Sequence, residues 1–165
     1  MCLRIWIVVL ILVLLYYSTP SYANGVFLEG GQGIYYSTDS RTIFLSYQID
    51  SPQLFGLNSN YNVALGSWNG PDHNNALILT KGIWMNLHGK TYISFEPGGA
   101  YIRRTTNNLG TRLQFAFRSA LGIRTEEYDF SIGYKHFSNG KGIFHWTDTA
   151  NFGENFITLQ IGYLL

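Results

Sequence analysis

The sequence predicts an all-β fold: an eight-stranded antiparallel up-and-down transmembrane β-barrel after a cleaved signal peptide. Three observations predict it. An apolar run opens the chain and ends at a small-x-small pattern. Period-two alternation of apolar and polar residues recurs along the remainder. Charged residues of both signs stand in mid-strand on the polar parity, where a small barrel holds its internal ion pairs.

The opening segment, residues 1–23, reads as an export signal. Arg4 supplies a positive start, Ile5 to Tyr17 is uninterruptedly apolar, and Ser18, Thr19, Pro20 and Ser21 break the pattern. Ser21-Tyr22-Ala23 places small residues at the −3 and −1 positions, so cleavage is expected after Ala23. Thirteen apolar residues are too few for a spanning helix, which needs about 20.

Residues 24–165 then form one domain, with ten Lys or Arg against ten Asp or Glu. That balance argues against a nucleic-acid partner, which normally shows as a basic excess. The only cysteine, Cys2, lies in the signal, so residues 24–165 contain no thiol to cross-link them. No stretch of 18 apolar residues follows, although 27 of the 165 residues are aromatic. Such a chain must hide its apolar groups by alternation.

Residues 112–124 show the pattern best. Leu113, Phe115, Phe117, Leu121 and Ile123 share one parity with the exception Ser119, while Gln114, Ala116, Arg118, Ala120 and Gly122 share the other. Successive side chains of a strand point to opposite faces, so one face is apolar and the other small or polar. Residues 42–50 repeat this with Ile43, Leu45, Tyr47 and Ile49; residues 61–66 with Tyr61, Val63 and Leu65. Tyr128, Phe130, Ile132 and Tyr134 oppose Asp129, Ser131, Gly133 and Lys135. Ile157, Leu159, Ile161 and Tyr163 oppose Phe156, Thr158, Gln160 and Gly162 in the last strand. Noisier strands are expected at 26–35, 76–87 and 91–103, which makes eight.

Alternation alone fits a soluble sandwich as well as a barrel. Glu29, Glu96, Arg118, Asp129 and Lys135 choose between them, since all five stand on the polar parity. A sandwich would place them in water, whereas a barrel encloses them. Aromatic residues near strand ends fit the two membrane interfaces. With both termini periplasmic, the outward loops lie near 38–40, 69–75, 105–110 and 139–153. The turns at 88–90 and 125–127 are short, and the one at 51–60 is expected to be long.

His136 and Ser138 are the sharpest candidates for chemistry. Two residues apart on the seventh strand, they share a face with Cα atoms roughly 6.6 Å apart. An imidazole and a hydroxyl so placed can form a nucleophile–base pair. Their parity is that of Phe130 and Ile132, so both face lipid at the outer rim. The plain alternative is a polar girdle position, because His-x-Ser is a common accident.

Gly133-Tyr134-Lys135-His136-Phe137-Ser138-Asn139, followed after a loop by Asn151-Phe152-Gly153-Glu154-Asn155, resembles the lipid A 3-O-deacylases of the PagL family. That family carries a G-Y-[RK]-H-[FY]-S-N block and an N-x-G-x-E segment leading into the last strand. The whole plan is similar, while specific residues match over about the last 35 positions. The resemblance implies an outer-membrane esterase that hydrolyses the 3-O-linked hydroxyacyl ester of lipid A. Ser138 would be the nucleophile, His136 the general base, and Asn139 the oxyanion donor. No cofactor or metal is implied; His73, His88 and His145 are scattered through turns. The partners implied are lipid A or lipopolysaccharide as substrate and the surrounding membrane, with a second copy of the chain left open and no nucleic acid.

The third catalytic member departs from the family pattern. The family glutamate falls two residues after the loop glycine, where this chain has Asn155; Glu154 comes one residue earlier. Parity aligns Asn155 with the lipid-facing Ile157 and Leu159, and Glu154 with the lumenal Thr158 and Gln160. An asparagine oxygen can accept the imidazole N–H and fix its tautomer. A bulge at the strand's start would swing Glu154 outward instead, so both remain candidates. Two other functions stay open on the sequence: a non-catalytic structural or adhesin-like barrel, and a barrel lipid acyltransferase. Gly30-Gly31-Gln32-Gly33 resembles a phosphate loop, but no helix follows, so close packing inside the barrel is expected. Arg103 and Arg104 end the fifth strand on the outer side, facing either water or lipid A phosphates.

Overall fold

Backbone amides in a hydrocarbon layer have no water to bond, so strands that cross it must close into a ring in which each is paired on both sides. The computed structural model, which describes residues 24–71, 73–141 and 151–165, shows that closure. Eight strands run in chain order, each hydrogen-bonded to the next: β1 Gly25–Gly33, β2 Arg41–Leu54, β3 Leu57–Asn69, β4 Asn74–His88, β5 Thr91–Ile102, β6 Leu113–Arg124, β7 Tyr128–Ser138 and β8 Glu154–Leu164. β1 pairs antiparallel with β8 from Gly25↔Leu164 to Gly33↔Phe156, and this seam completes the barrel. The expected signal at 1–23 and His145 lie outside the described residues.

Apolar parity faces outward throughout. Leu28, Ile43, Leu45, Leu65, Leu79, Leu121, Ile132 and Leu159 are exposed, as a lipid-facing band requires. Tyr47, Tyr61, Tyr128 and Tyr163 stand outward towards the periplasmic end, with Tyr35, Tyr36, Tyr101 and Phe152 at the other. These are the two aromatic girdles of a spanning barrel.

The inward parity builds three layers. At mid-height Arg118 Nε meets Glu29 at 3.0 Å and Arg118 Nη1 meets Glu96 at 3.5 Å; Lys135 Nζ also pairs with Glu29. Towards the periplasm Arg124 Nε bonds Asp129 at 2.6 Å, and Tyr92 donates to the same carboxylate at 2.7 Å. The outer third differs from expectation. It is an apolar plug in which Trp68 stacks on Phe137 with ring centroids 5.3 Å apart, joined by Phe44, Ile102 and Phe156. Phe44 and Phe156 therefore occupy polar-parity positions because the lumen at that height is packed with apolar side chains, Trp68 and Phe137 among them.

Two boundaries shift. The turn expected to span 51–60 contains only Phe55 and Gly56, both at positive φ (54° and 75°), because β2 and β3 extend to meet there. Ser51, Ser59 and Asn60 of that stretch find their partners inside the barrel: the two serine hydroxyls bond each other at 2.8 Å, and Asn60 Nδ2 donates to Gln48 Oε1 at 3.0 Å. A polar stretch reads as a loop only when its polar parity faces water, and here it faces the lumen. The first strand ends at Gly33 rather than 35, since the 3-10 turn Tyr35–Ser37 folds back on it and a Cβ there would lie 1.7 Å from the Ser37 carbonyl oxygen. Within the glycine run, Gly31 packs as expected, its notional Cβ 2.5 Å from the Ile157 carbonyl oxygen, whereas Gly30 faces outward with room to spare.

Candidate active site on the lipid-facing wall

Antiparallel register fixes what stands beside the motif histidine. In the β6–β7–β8 sheet, His136 is opposite Phe117 on one side and Asn155 on the other. All three point outward at the outer end of the wall, and His136 and Ser138 are half-buried. Phe117 lies 5.1 Å from the imidazole between ring centroids, and Tyr134 stacks nearly parallel to it at 6.3 Å, 17° between planes. The ring is thus confined on its flanks by aromatics.

His136 Nδ1 lies 2.8 Å from Asn155 Oδ1, and the Tyr134 hydroxyl donates to the same oxygen. With Nδ1–H given to the amide oxygen, Nε2 carries the lone pair that a general base needs. Gly153 closes the remaining edge. A Cβ there would come within 2.9 Å of His136 Cε1, and its φ of +79° suits glycine, so the chain can run against the ring only at this residue. Ser138 follows His136 on the same face, opposite Phe115. Its hydroxyl makes no hydrogen bond to the ring among the described residues. Nucleophile–base contacts commonly tighten only when substrate binds.

The two candidates for third member separate completely. Asn155 is at the ring; Glu154, fully buried, points into the lumen. The Glu154 carboxylate accepts from the Ser37 hydroxyl and, at 3.0 Å, from Asn108 Nδ2. The Ser37 hydroxyl oxygen also accepts the Asn155 backbone N–H at 3.1 Å, and the Asn155 carbonyl accepts Ile34 N–H at 2.9 Å. Glu154 therefore ties the first and third outward loops to the start of β8 and holds the backbone that presents Asn155. Sequence parity pointed to Asn155; this anchoring depends on contacts 46 and 117 residues away and had no local signal.

Asn139 is fully buried, on the parity opposite Ser138. Its backbone N–H bonds Asn151 Oδ1 at 2.8 Å, and its own Oδ1 accepts the Lys141 N–H at 3.1 Å. It shapes the turn that follows the serine. Along β7 from His136, an apolar groove of about 520 Å³ opens between Leu121, Ile123, Phe130, Ile132, Leu159 and Ile161. Ile132 is four residues from His136, roughly 13 Å along the strand. Among the described residues no group of three or more His, Cys, Asp or Glu could hold a metal ion.

This arrangement gives a testable ordering of effects. Asn155→Ala is expected to lower the rate of any reaction that uses His136 as its base roughly 10²-fold with KM unchanged, since the imidazole loses its tautomer-fixing partner. Glu154→Ala is expected to do less, and no more than Ser37→Ala, which breaks the same anchor from its other end. A fall for Glu154→Ala well beyond that of Asn155→Ala, in a mass-spectrometric rate assay, would reverse the assignment.

A family model for lipid A 3-O-deacylase (PagL) matches residues 41–164. The crystal structure of the outer membrane enzyme PagL is similar with a TM-score of 0.68 at 18% identity, covering 84% of this chain and 97% of that one. A de novo designed transmembrane β-barrel is similar at TM-score 0.58 and 11% identity, over 89% of this chain and 98% of that one. The N-terminal β-barrel domain of Pseudomonas aeruginosa OprF gives 0.54 and 14%, over 88% and 100%. At these identities the structures establish the architecture alone, and comparison with curated proteins finds no match. The family match spans seven of the eight strands and both motif segments, and on it this integral outer-membrane barrel belongs to the lipid A 3-O-deacylase (PagL) family.

Proposed function

We propose that the protein, exported by the signal at 1–23, hydrolyses the ester of the 3-O-linked hydroxyacyl chain of lipid A by a serine–histidine mechanism. The observation that carries this reading is the His136 Nδ1–Asn155 Oδ1 contact on the lipid-facing wall, two residues along β7 from Ser138. It leaves Nε2 as the basic nitrogen on the face that Ser138 shares.

Ser138 Oγ attacks the ester carbonyl as His136 Nε2 takes its proton. Collapse of the tetrahedral intermediate breaks the bond to the sugar oxygen, which receives that proton from His136. Water, deprotonated by the same nitrogen, then releases the hydroxy acid and restores Ser138. The oxyanion is met by a backbone N–H of the turn after Ser138, that of Gly140, since the Asn139 backbone N–H is already given to Asn151 and the Asn139 side chain, the donor that the family motif suggested, is buried on the opposite parity. The outward placement suits the substrate. A glycolipid of the outer leaflet can present its ester at the rim while its acyl chain stays in hydrocarbon, along the Leu121–Ile132–Leu159 groove.

Mass spectrometry of lipid A from cells expressing the protein tests the reading. Loss of one hydroxyacyl mass is the expected result. A gain of acyl mass would make the barrel an acyltransferase, and an unchanged spectrum would make it structural.

A further inference from the structure

An amide in place of a carboxylate raises a problem that a carboxylate does not have. Both oxygens of Glu accept, so the imidazole N–H finds an acceptor whichever way the group turns. An Asn side chain presents an acceptor on one side and a two-proton donor on the other. If Asn155 turned its Nδ2 towards the ring, His136 Nδ1 would become the acceptor and Nε2 would carry the proton. The ring could then no longer take a proton from Ser138.

The second partner of Asn155 Oδ1 resolves this. Tyr134 is two residues before His136 on β7, on the same outward face, and its hydroxyl donates to that oxygen while its ring stacks on the imidazole. Tyr134 also packs against Phe117 at 5.8 Å, which places the phenol on an aromatic, lipid-facing surface. Among the described residues this phenol proton has Asn155 Oδ1 as its acceptor. Turning the amide would deprive the phenol proton of that acceptor, and a donor that loses its partner on a lipid-facing wall is costly. We infer that Tyr134 is a positioning residue which, by donating to Asn155 Oδ1, locks the amide with its oxygen towards His136 and so sets the imidazole tautomer. The inference rests on the proposed hydrolysis for its kinetic consequence, and on geometry alone for its effect on the ring.

Tyr134→Phe removes the hydroxyl and keeps the ring, so stacking and barrel closure are retained. Deacylation of lipid A by the full-length barrel in lipid vesicles is expected to lose roughly tenfold in kcat with KM unchanged. The acidic limb of the pH–rate profile should shift with it. In an Asn155→Ala background the same substitution should have no further effect, because the group it orients is gone. A wild-type rate and profile for Tyr134→Phe, or an undiminished loss in the Asn155→Ala background, overturns the inference.

A nitrogen-15 NMR spectrum of the His136 ring reads the tautomer without turnover. The Nδ1–H form is expected in the wild type and a mixture containing Nε2–H in Tyr134→Phe; an unchanged spectrum overturns the inference. Should the wild type leave lipid A intact while its ring still responds to Tyr134→Phe, the proposed hydrolysis fails and the positioning role stands.

Discussion

Ser138→Ala is expected to abolish loss of the hydroxyacyl chain from lipid A while the protein still migrates as a heat-modifiable barrel on gels. The expectation follows from where the hydroxyl sits. Ser138 is the last residue of β7, half-buried on the outward face, and its hydroxyl bonds no other described group. Removing one oxygen there breaks no hydrogen bond of the described structure, so the fold has little reason to respond. Chemistry has every reason to. Nucleophilic catalysis splits ester hydrolysis into two easier steps, and under the proposed mechanism Ser138→Ala leaves only the positioning and oxyanion contributions. A fall of about 10⁴-fold or more is therefore expected, measured as deacylated product by mass spectrometry over a time course. A variant that folds and still removes the chain at a wild-type rate would show that the attacking group lies elsewhere. His136→Ala should fall by a similar amount, since base and nucleophile act as one unit.

How much of this was legible in the sequence depends on the range of the interactions involved. Period-two alternation is a local property, so β6, β7 and β8 could be read within a residue or two, and the outward parity of His136 and Ser138 with them. Parity also put Asn155 beside the ring and Glu154 in the lumen, which register across β7 and β8 then made explicit. What was not legible depends on what each parity faces. The stretch 51–60 looks like a loop because its serines and asparagines would normally meet water; here Ser51, Ser59 and Asn60 meet polar partners in the lumen. The aromatic plug around Trp68, Phe137 and Phe156 looks like noise in each strand, because its partners come from β2, β3, β7 and β8. The Glu154–Ser37–Asn108 anchor is equally non-local. Tyr134 belongs to the motif block, but only its shared acceptor with His136 distinguishes it from an ordinary girdle tyrosine.

The largest stability effect is expected from the middle of the lumen. Arg118→Met is expected to destabilise the barrel by about 3–5 kcal/mol, the usual cost of removing one partner from a buried charge network. Arg118 is 3% exposed, and its guanidinium bonds Glu29, Glu96 and, at 2.8 Å, the Ser131 hydroxyl. A Cβ on Gly133 would lie 3.0 Å from that guanidinium, so β7 leaves room for it at the motif's first glycine. The two carboxylates would not suffer equally. Glu29 keeps its pair with Lys135, whereas Glu96 keeps only a 3.4 Å contact from Asn62 Nδ2 and becomes the orphan. Adding Glu96→Gln to Arg118→Met is therefore expected to recover a large part of the loss, because an amide is far less costly to enclose than an unpaired carboxylate. Urea titration of barrels folded into lipid vesicles, followed by gel mobility, measures both differences. A loss below about 1 kcal/mol for Arg118→Met would mean that water reaches Glu96 and that the network is solvated rather than enclosed. A double variant no more stable than the single one would place the cost in lost packing of the long side chain instead. The lumen and the wall thus make opposite demands on the same strand. Lys135 serves the ion network on one side of β7 while Tyr134 and His136 face lipid on the other, and the alternation of a single strand supplies both.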